Sequence, residues 1–160
     1  MTINEAAVLS TELLHVHDVL SLWKVSFNKR KGSFGLCSYK KKEIQLSSIM
    51  VPVMTDEAIR MTILHEIAHA LTLGHGHDYV WSRKCIELGG DGKRVGESDK
   101  YEGGKEGRTM HQQAISKYTL SCPCCGEKYY KNRLPKRASS CGKHRGSYNP
   151  MYKLIVTQNY

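Results

Sequence analysis

The 160-residue sequence predicts an α+β fold in two lobes: a larger lobe of helices with a small antiparallel sheet, then a small, cysteine-rich β lobe. Three observations predict it. Apolar residues recur at helical spacing from Asn4 to Leu20 and again around residues 58–73, and they alternate with polar ones from Trp23 to Asn28. Four of the six cysteines fall between Cys122 and Cys141, among short strand-like runs. Charge divides the chain at the same place. Residues 1–107 hold 14 Lys and Arg against 14 Asp and Glu, whereas residues 108–160 hold 10 against Glu127 alone, so the formal charge of +9 resides in the second half.

The elements follow in order. Ala7, Leu9, Leu13, Val16 and Leu20 give the first helix an apolar stripe, with His15 and His17 on its surface. Trp23, Val25 and Phe27 alternate with Lys24, Ser26 and Asn28 as in a half-buried strand, and Ile44 with Leu46 marks another. A second helix follows Pro52. Thr55 is its N-cap, Asp56 and Glu57 suit its positive end, and Gly74 supplies its stop. Ile59, Ile63, Leu64, Ile67, Ala68 and Leu71 leave this helix almost no polar face, which predicts burial. Residues 82–88 fit one or two more helical turns. Seven glycines between Gly89 and Gly107 read as a mobile loop or linker, and Glu127–Tyr130 and Tyr152–Val156 read as short strands. The expected organisation is a first domain over residues 1–89, a linker over 90–116 and a small domain over 117–160. About a hundred residues can bury a workable core, while a lobe of about forty is marginal without a metal.

The buried helix carries His65-Glu66-Ile67-Ala68-His69. Residues four apart share a helix face with Cβ atoms about 5–6 Å apart, so two imidazoles can reach one ion at about 2.0–2.1 Å. Glu66 lies one position round, beside the ion, where it can take a proton from a water that the metal activates. Two histidines and a glutamate on an apolar helix cost several kcal/mol, roughly, to desolvate unless a metal offsets the penalty. The pattern therefore predicts a zinc-dependent hydrolase with Glu66 as catalytic base and His65 and His69 as ligands. Three residues compete for the third ligand. His75 follows Gly74, where the chain can turn back, and is the favoured choice; His77 points the same way in an extended segment, and Glu87 lies further on. The metzincin pattern needs Gly where this chain has Thr72.

Cys122-Pro123-Cys124-Cys125-Gly126 and Cys141-Gly142-Lys143-His144 form two knuckles. Cys122, Cys125, Cys141 and His144 make a closed tetrahedral set for a structural zinc, leaving Cys124 free. A disulfide pair is disfavoured, since Cys37 and Cys85 show no pairing logic and the N-terminus is acidic with no secretory signal. Lys128, Lys131, Arg133, Lys136, Arg137, Lys143 and Arg145 interleave with Tyr129, Tyr130 and Tyr148, a mixture suited to phosphate contact and base stacking. Lys29-Arg30-Lys31 and Lys40-Lys41-Lys42 extend that basic character into the first lobe. No stretch has the apolar length of a membrane span, and the expected location is intracellular.

His75-Gly76-His77-Asp78-Tyr79, with Trp81, resembles the His-Gly-Pro-Glu-Phe segment of SprT-like (Spartan-type) metalloproteases. Trp23-Lys24-Val25-Ser26-Phe27-Asn28, Gly35 and Ile44-Gln45-Leu46-Ser47 resemble that family's segment ahead of the metal helix, and the family often carries a zinc ribbon downstream. The resemblance runs from about Leu22 to His144; His77 in place of Pro and the glycines after Gly89 depart from it. It implies a zincin-like catalytic lobe with His75 as third zinc ligand, one catalytic and one structural zinc, and a basic ribbon that contacts DNA, single-stranded above all. Its implied substrates are proteins bound or crosslinked to DNA. The rival reading is a DNA-binding or regulatory protein whose zincin lobe is chiefly structural.

Overall fold

The computed structural model describes residues 1–94, 104–144 and 146–159, with the side chains of residues 104–106, 108 and 110 left aside. The described chain forms two compact units, Met1–Arg108 and Thr109–Tyr160.

The first unit runs α1 (Ile3–Val16), β1 (Lys24–Asn28), β2 (Gly35–Ser38), β3 (Glu43–Ser47), α2 (Asp56–Leu71) and α3 (Tyr79–Glu87). Thr2 and Glu5 close a capping box at the start of α1. The helix ends four residues earlier than Leu20, because Asp18 takes a left-handed conformation and the Val19 N–H turns back to the Leu14 carbonyl. The sheet has the order β1-β3-β2, and it is mixed: β3 runs parallel to β1 and antiparallel to β2. An antiparallel sheet was expected from two visible strands. The long return through β2 lets β3 re-enter beside β1 in the same direction, and β2, with Gly35 and Cys37 in place of a clear apolar alternation, left no strand signal.

The core lies between α1, the sheet and α2. Leu14, Ile44, Ile63, Leu64 and Ile67 are fully buried there. Helix α2 starts at Thr55, whose hydroxyl accepts from the Ala58 N–H at 3.2 Å. It packs on α1, β2, β3 and α3, which explains its nearly all-round apolar sequence. Helix α3 is longer than the expected turn or two. Asp78 caps it by accepting from the Trp81 N–H at 3.1 Å, and Trp81 and Cys85 are buried against Ala68 of α2.

Residues 104–115 form a helix, α4 (Gly104–Ile115), where the sequence reading placed a linker over 90–116. Gly104 and Gly107 weighed against a helix, but Gln112, Gln113 and Ala114 are ordinary helix formers that carry it on. The rest of the glycine-rich segment, residues 95–103, lies outside the described residues.

In the second unit a three-stranded antiparallel sheet has β4 (Tyr118–Ser121) between β5 (Lys128–Lys131) and β6 (Ile155–Gln158). The last strand begins three residues later than Tyr152, because Pro150–Tyr152 forms a 3₁₀ turn. Among the described apolar and sulfur-bearing residues of this unit, only Leu120, Cys122 and Cys141 are nearly wholly buried, a small core for so short a unit.

Candidate functional site

His65 and His69 lie one turn apart on α2 with ring centroids 5.0 Å apart. His77, from the segment joining α2 to α3, closes the set: its Nε2 lies 3.0 Å from His65 Nε2 and 3.2 Å from His69 Nε2. Nitrogens bound at 2.0–2.1 Å around a tetrahedral ion stand ~3.3 Å apart, so these three imidazoles fit one zinc with a fourth direction left open. Burial and the neighbouring His77 push His69 from the usual 6.5 down to about 4, which keeps its ring neutral and able to ligate at neutral pH. Desolvation and the Arg94 charge lower His77 in the same sense.

The structure therefore brings His77, and not the expected His75 after Gly74, together with His65 and His69. Gly74 does adopt the left-handed conformation, at φ +86°. His75 is still part of that turn, with its N–H bonded to the Thr72 carbonyl at 3.0 Å, and its Nδ1 is held 2.8 Å from Asp78 Oδ2. Two further residues bring the chain back across the histidine face just before α3 begins. Glu87 sits at the far end of α3, paired with Lys84 at 2.7 Å, and takes no part. The sequence carried a usable signal in the pair His77 and Trp81. Asp78 is a good N-cap, so Trp81 falls in the first turn of the next helix and can reach back under a ligand placed just before the cap.

Trp81 is fully buried and forms the floor of the site. Its ring lies 4.6 Å from those of His65 and His77, and stacks on His69 at 5.1 Å and 26°. Tyr39 donates its hydroxyl to the His69 carbonyl at 3.1 Å, tying the last turn of α2 to the end of β2.

Glu66 points to the other side of the same helix face, toward β2. It is 7% exposed, and burial pushes its carboxyl from 4.5 up to about 7, partly offset by a hydrogen bond from the Cys37 N–H. At neutral pH such a group can both take and return a proton. Close approach of β2 depends on Gly35, where an added Cβ would lie 2.7 Å from Glu66 Oε1 and 2.9 Å from Thr62 Cγ2. The Cys37 thiol, beside this carboxylate, is pushed up to about 12, first by burial and then by the Glu66 charge, so it stays a neutral wall group. A cleft of about 560 Å³ runs past Gly35, Cys37, His65, Glu66, His69 and His77, with His75, Asp91 and Arg94 on its rim.

The cysteine cluster forms as expected from Cys122, Cys125, Cys141 and His144. Cys122 Sγ lies 3.5 Å from His144 Nε2, and Cys125 Sγ lies 3.8 Å from Cys141 Sγ. Tetrahedral zinc with bonds of 2.3 Å to sulfur and 2.0–2.1 Å to nitrogen spaces its ligands ~3.5 Å (S to N) and ~3.8 Å (S to S) apart. The fit excludes a disulfide, and all six cysteines are free thiols. Gly126 at φ +71° lets the first knuckle turn, with its N–H bonded to the Cys122 carbonyl at 3.0 Å. The Tyr129 hydroxyl lies 3.4 Å from Cys141 Sγ; this hydrogen bond lowers the Cys141 thiol and raises Tyr129 to about 12, as expected if the phenol donates to a thiolate. His144 stacks on Tyr152 at 4.1 Å and 13°. Cys124 is exposed and outside the cluster.

Lys128, Lys131, Arg133, Lys136 and Arg137 are all exposed on this unit. Lys143 is exposed too but is paired with Glu127. Arg145 lies outside the described residues.

A family model described as the SprT-like family matches residues 8–100. No curated protein matches the sequence. Among solved structures, the metallopeptidase zymogen jannalysin of Methanocaldococcus jannaschii aligns with a TM-score of 0.46 and 15% identity, over 69% of this chain and 92% of that one.

Proposed function

Because the chain belongs to the SprT-like family, we propose that it is a zinc-dependent metallopeptidase acting on proteins bound or crosslinked to DNA. The observation that carries the peptidase reading is the pairing of three imidazole nitrogens at tetrahedral spacing with a buried carboxylate of raised pKa on the same cleft. A structural metal site has no use for that carboxylate, which tells against a chiefly structural lobe.

His65, His69 and His77 would hold the metal. Zinc bound there supplies a Lewis acid that makes water nucleophilic near neutral pH and polarises a carbonyl. Glu66 takes the proton from the attacking water and returns it to the leaving amine. Gly35 and the Cys37 N–H fix where that carboxylate stands. The substrate backbone is accommodated along β2. The Ser47 N–H bonds the Phe34 carbonyl, which places Phe34, Leu36 and Ser38 on the β3 side of the ladder. Gly35 then turns its N–H and carbonyl, and Cys37 its carbonyl, to the open edge of the sheet, the Cys37 N–H being held by Glu66, and an extended polypeptide can add there as a further strand.

The second zinc would be structural, closed by four protein ligands, and would hold a unit too small for its own core. The +9 charge concentrated beyond residue 107 supports nucleic acid as its partner, with exposed lysines and arginines meeting phosphates and tyrosines available to stack on unpaired bases. A DNA-associated, intracellular location goes with this reading. No helix among the described residues is long and apolar enough to cross a membrane.

The test is cleavage of a DNA-binding protein by the purified chain with and without single-stranded DNA, alongside Lys136→Glu/Arg137→Glu. DNA should stimulate wild type, and the double variant should lose that stimulation while keeping its basal cleavage of an unfolded polypeptide. Equal cleavage with and without DNA, together with DNA binding insensitive to salt, would reduce the proposal to a general peptidase.

A further inference from the structure

His75, the histidine displaced from the metal, is not idle. We propose that His75 and Asp78 form a clamp across the ligand His77, and that this clamp sets the affinity of the histidine site for its metal. The proposal rests on the reading of His65, His69 and His77 as a zinc site.

The ligand is the one member of the triad that no regular element holds. His65 and His69 are fixed by α2, whereas His77 sits in the short connection between Thr72 and Asp78. Such a segment loses conformational entropy whenever it binds a metal, unless something orders it beforehand. The contact from His75 Nδ1 to Asp78 Oδ2, at 2.8 Å, closes a loop of four residues with His77 inside it. Asp78 is itself anchored, since its other oxygen, Oδ1, caps α3 through the Trp81 N–H. On the near side the His75 N–H is bonded to the Thr72 carbonyl at the end of α2. The connection is thus pinned to both helices, and the short stretch left between the pins is the one that delivers His77 Nε2 to its partners. His75 is a positioning residue here: it acts on the metal through the backbone of His77.

The size of the effect follows from exposure. Partners that orient a metal ligand are typically worth about 10–100-fold in affinity. The side chains of His75 and Asp78 are 42% and 50% exposed, and solvent weakens such pairs, so the lower end, about tenfold, is expected.

The test uses the full chain freed of metal and titrated with Co²⁺. Binding at the histidine site is read from quenching of Trp81 fluorescence, and binding at the cysteine site from thiolate-to-cobalt absorption. His75→Ala should bind about tenfold more weakly at the histidine site, with unchanged affinity at the cysteine site and an unchanged melting temperature of the metal-free protein. His75→Asn should restore affinity to within about threefold, because Asn Nδ2 occupies the branch position of the imidazole Nδ1 and can donate to Asp78. Asp78→Ser keeps a helix cap but removes the second carboxylate oxygen; it should weaken binding as much as His75→Ala, with no further loss in the double variant. The clamp is overturned by a His75→Ala affinity within twofold of wild type, by equal losses in His75→Ala and His75→Asn, or by additive losses in the double variant. Complete loss of binding in His75→Ala, matching His77→Ala, would also overturn it by making His75 a ligand. Failure of the metal reading looks different: wild type would then quench no Trp81 fluorescence at all, and the clamp would fall with it.

Discussion

Gly35→Ala tests how closely the general base depends on its neighbour strand. The added Cβ would stand 2.7 Å from Glu66 Oε1, 2.8 Å from its Cγ and 2.9 Å from Thr62 Cγ2, against 3.4 Å for ordinary contact. Strand and carboxylate must therefore part by about 0.7 Å. No relief comes from the backbone, because Gly35 does not need a glycine-only conformation and the clash is purely steric. A displacement of 1 Å in a reacting group can cost about a hundredfold in rate, so a loss of roughly 30-fold in kcat is expected here. Overpacking should also cost about 1–3 kcal/mol of stability. None of the three histidines is among the atoms that the added Cβ meets most closely, so they should be untouched. The assay is steady-state hydrolysis of a fluorogenic peptide, with metal content measured on the same samples. A kcat within threefold of wild type, or loss of metal from the histidine site rather than of turnover, would mean that Gly35 does not set the position of Glu66.

Other outcomes follow from the same structure. Metal-free Glu66→Gln should gain on wild type in melting temperature as pH rises from about 4.5 to about 7, because the buried Glu66 favours the fold while protonated and that contribution is lost as pH climbs through its raised value; a difference independent of pH would contradict this. Trp81→Ala removes the fully buried floor of the triad and should cost about 3–5 kcal/mol in chemical denaturation, with weakened metal binding at the histidine site. Tyr129→Phe deletes the hydrogen bond to Cys141 Sγ, and release of the second zinc to a chelator should quicken by about tenfold. Unchanged release would mean that the phenol only packs there.

The sequence made the metal helix and the ribbon legible because their chemistry is local. Two histidines four apart need only one helix, and each cysteine knuckle needs only one tight turn. Non-local features were harder to read. The mixed order of the first sheet depends on β2, whose residues carry little strand signal and whose place is set by contact with α2. Which histidine joins His65 and His69 depended on how the chain leaves one helix and enters the next. His75 had the better position relative to Gly74, but the cap at Asp78 decided the geometry by binding His75 and starting α3 one residue after itself. The Gly35 contact with Glu66 joins residues 31 positions apart, and nothing in either local sequence announces it. Helix α4 was hidden by its glycines, which are unfavourable in a helix but outweighed by the residues that follow.

The proposed mechanism places a zinc and the carboxylate that moves the proton in one cleft. It is tested most directly by cleavage of an unfolded polypeptide with wild type and Glu66→Gln, both brought to two zinc ions per chain. Wild type should cleave, and the variant should lose at least a thousandfold at equal zinc content. Equal rates in the two proteins, or a wild type that is inert with both zinc sites filled, would contradict it.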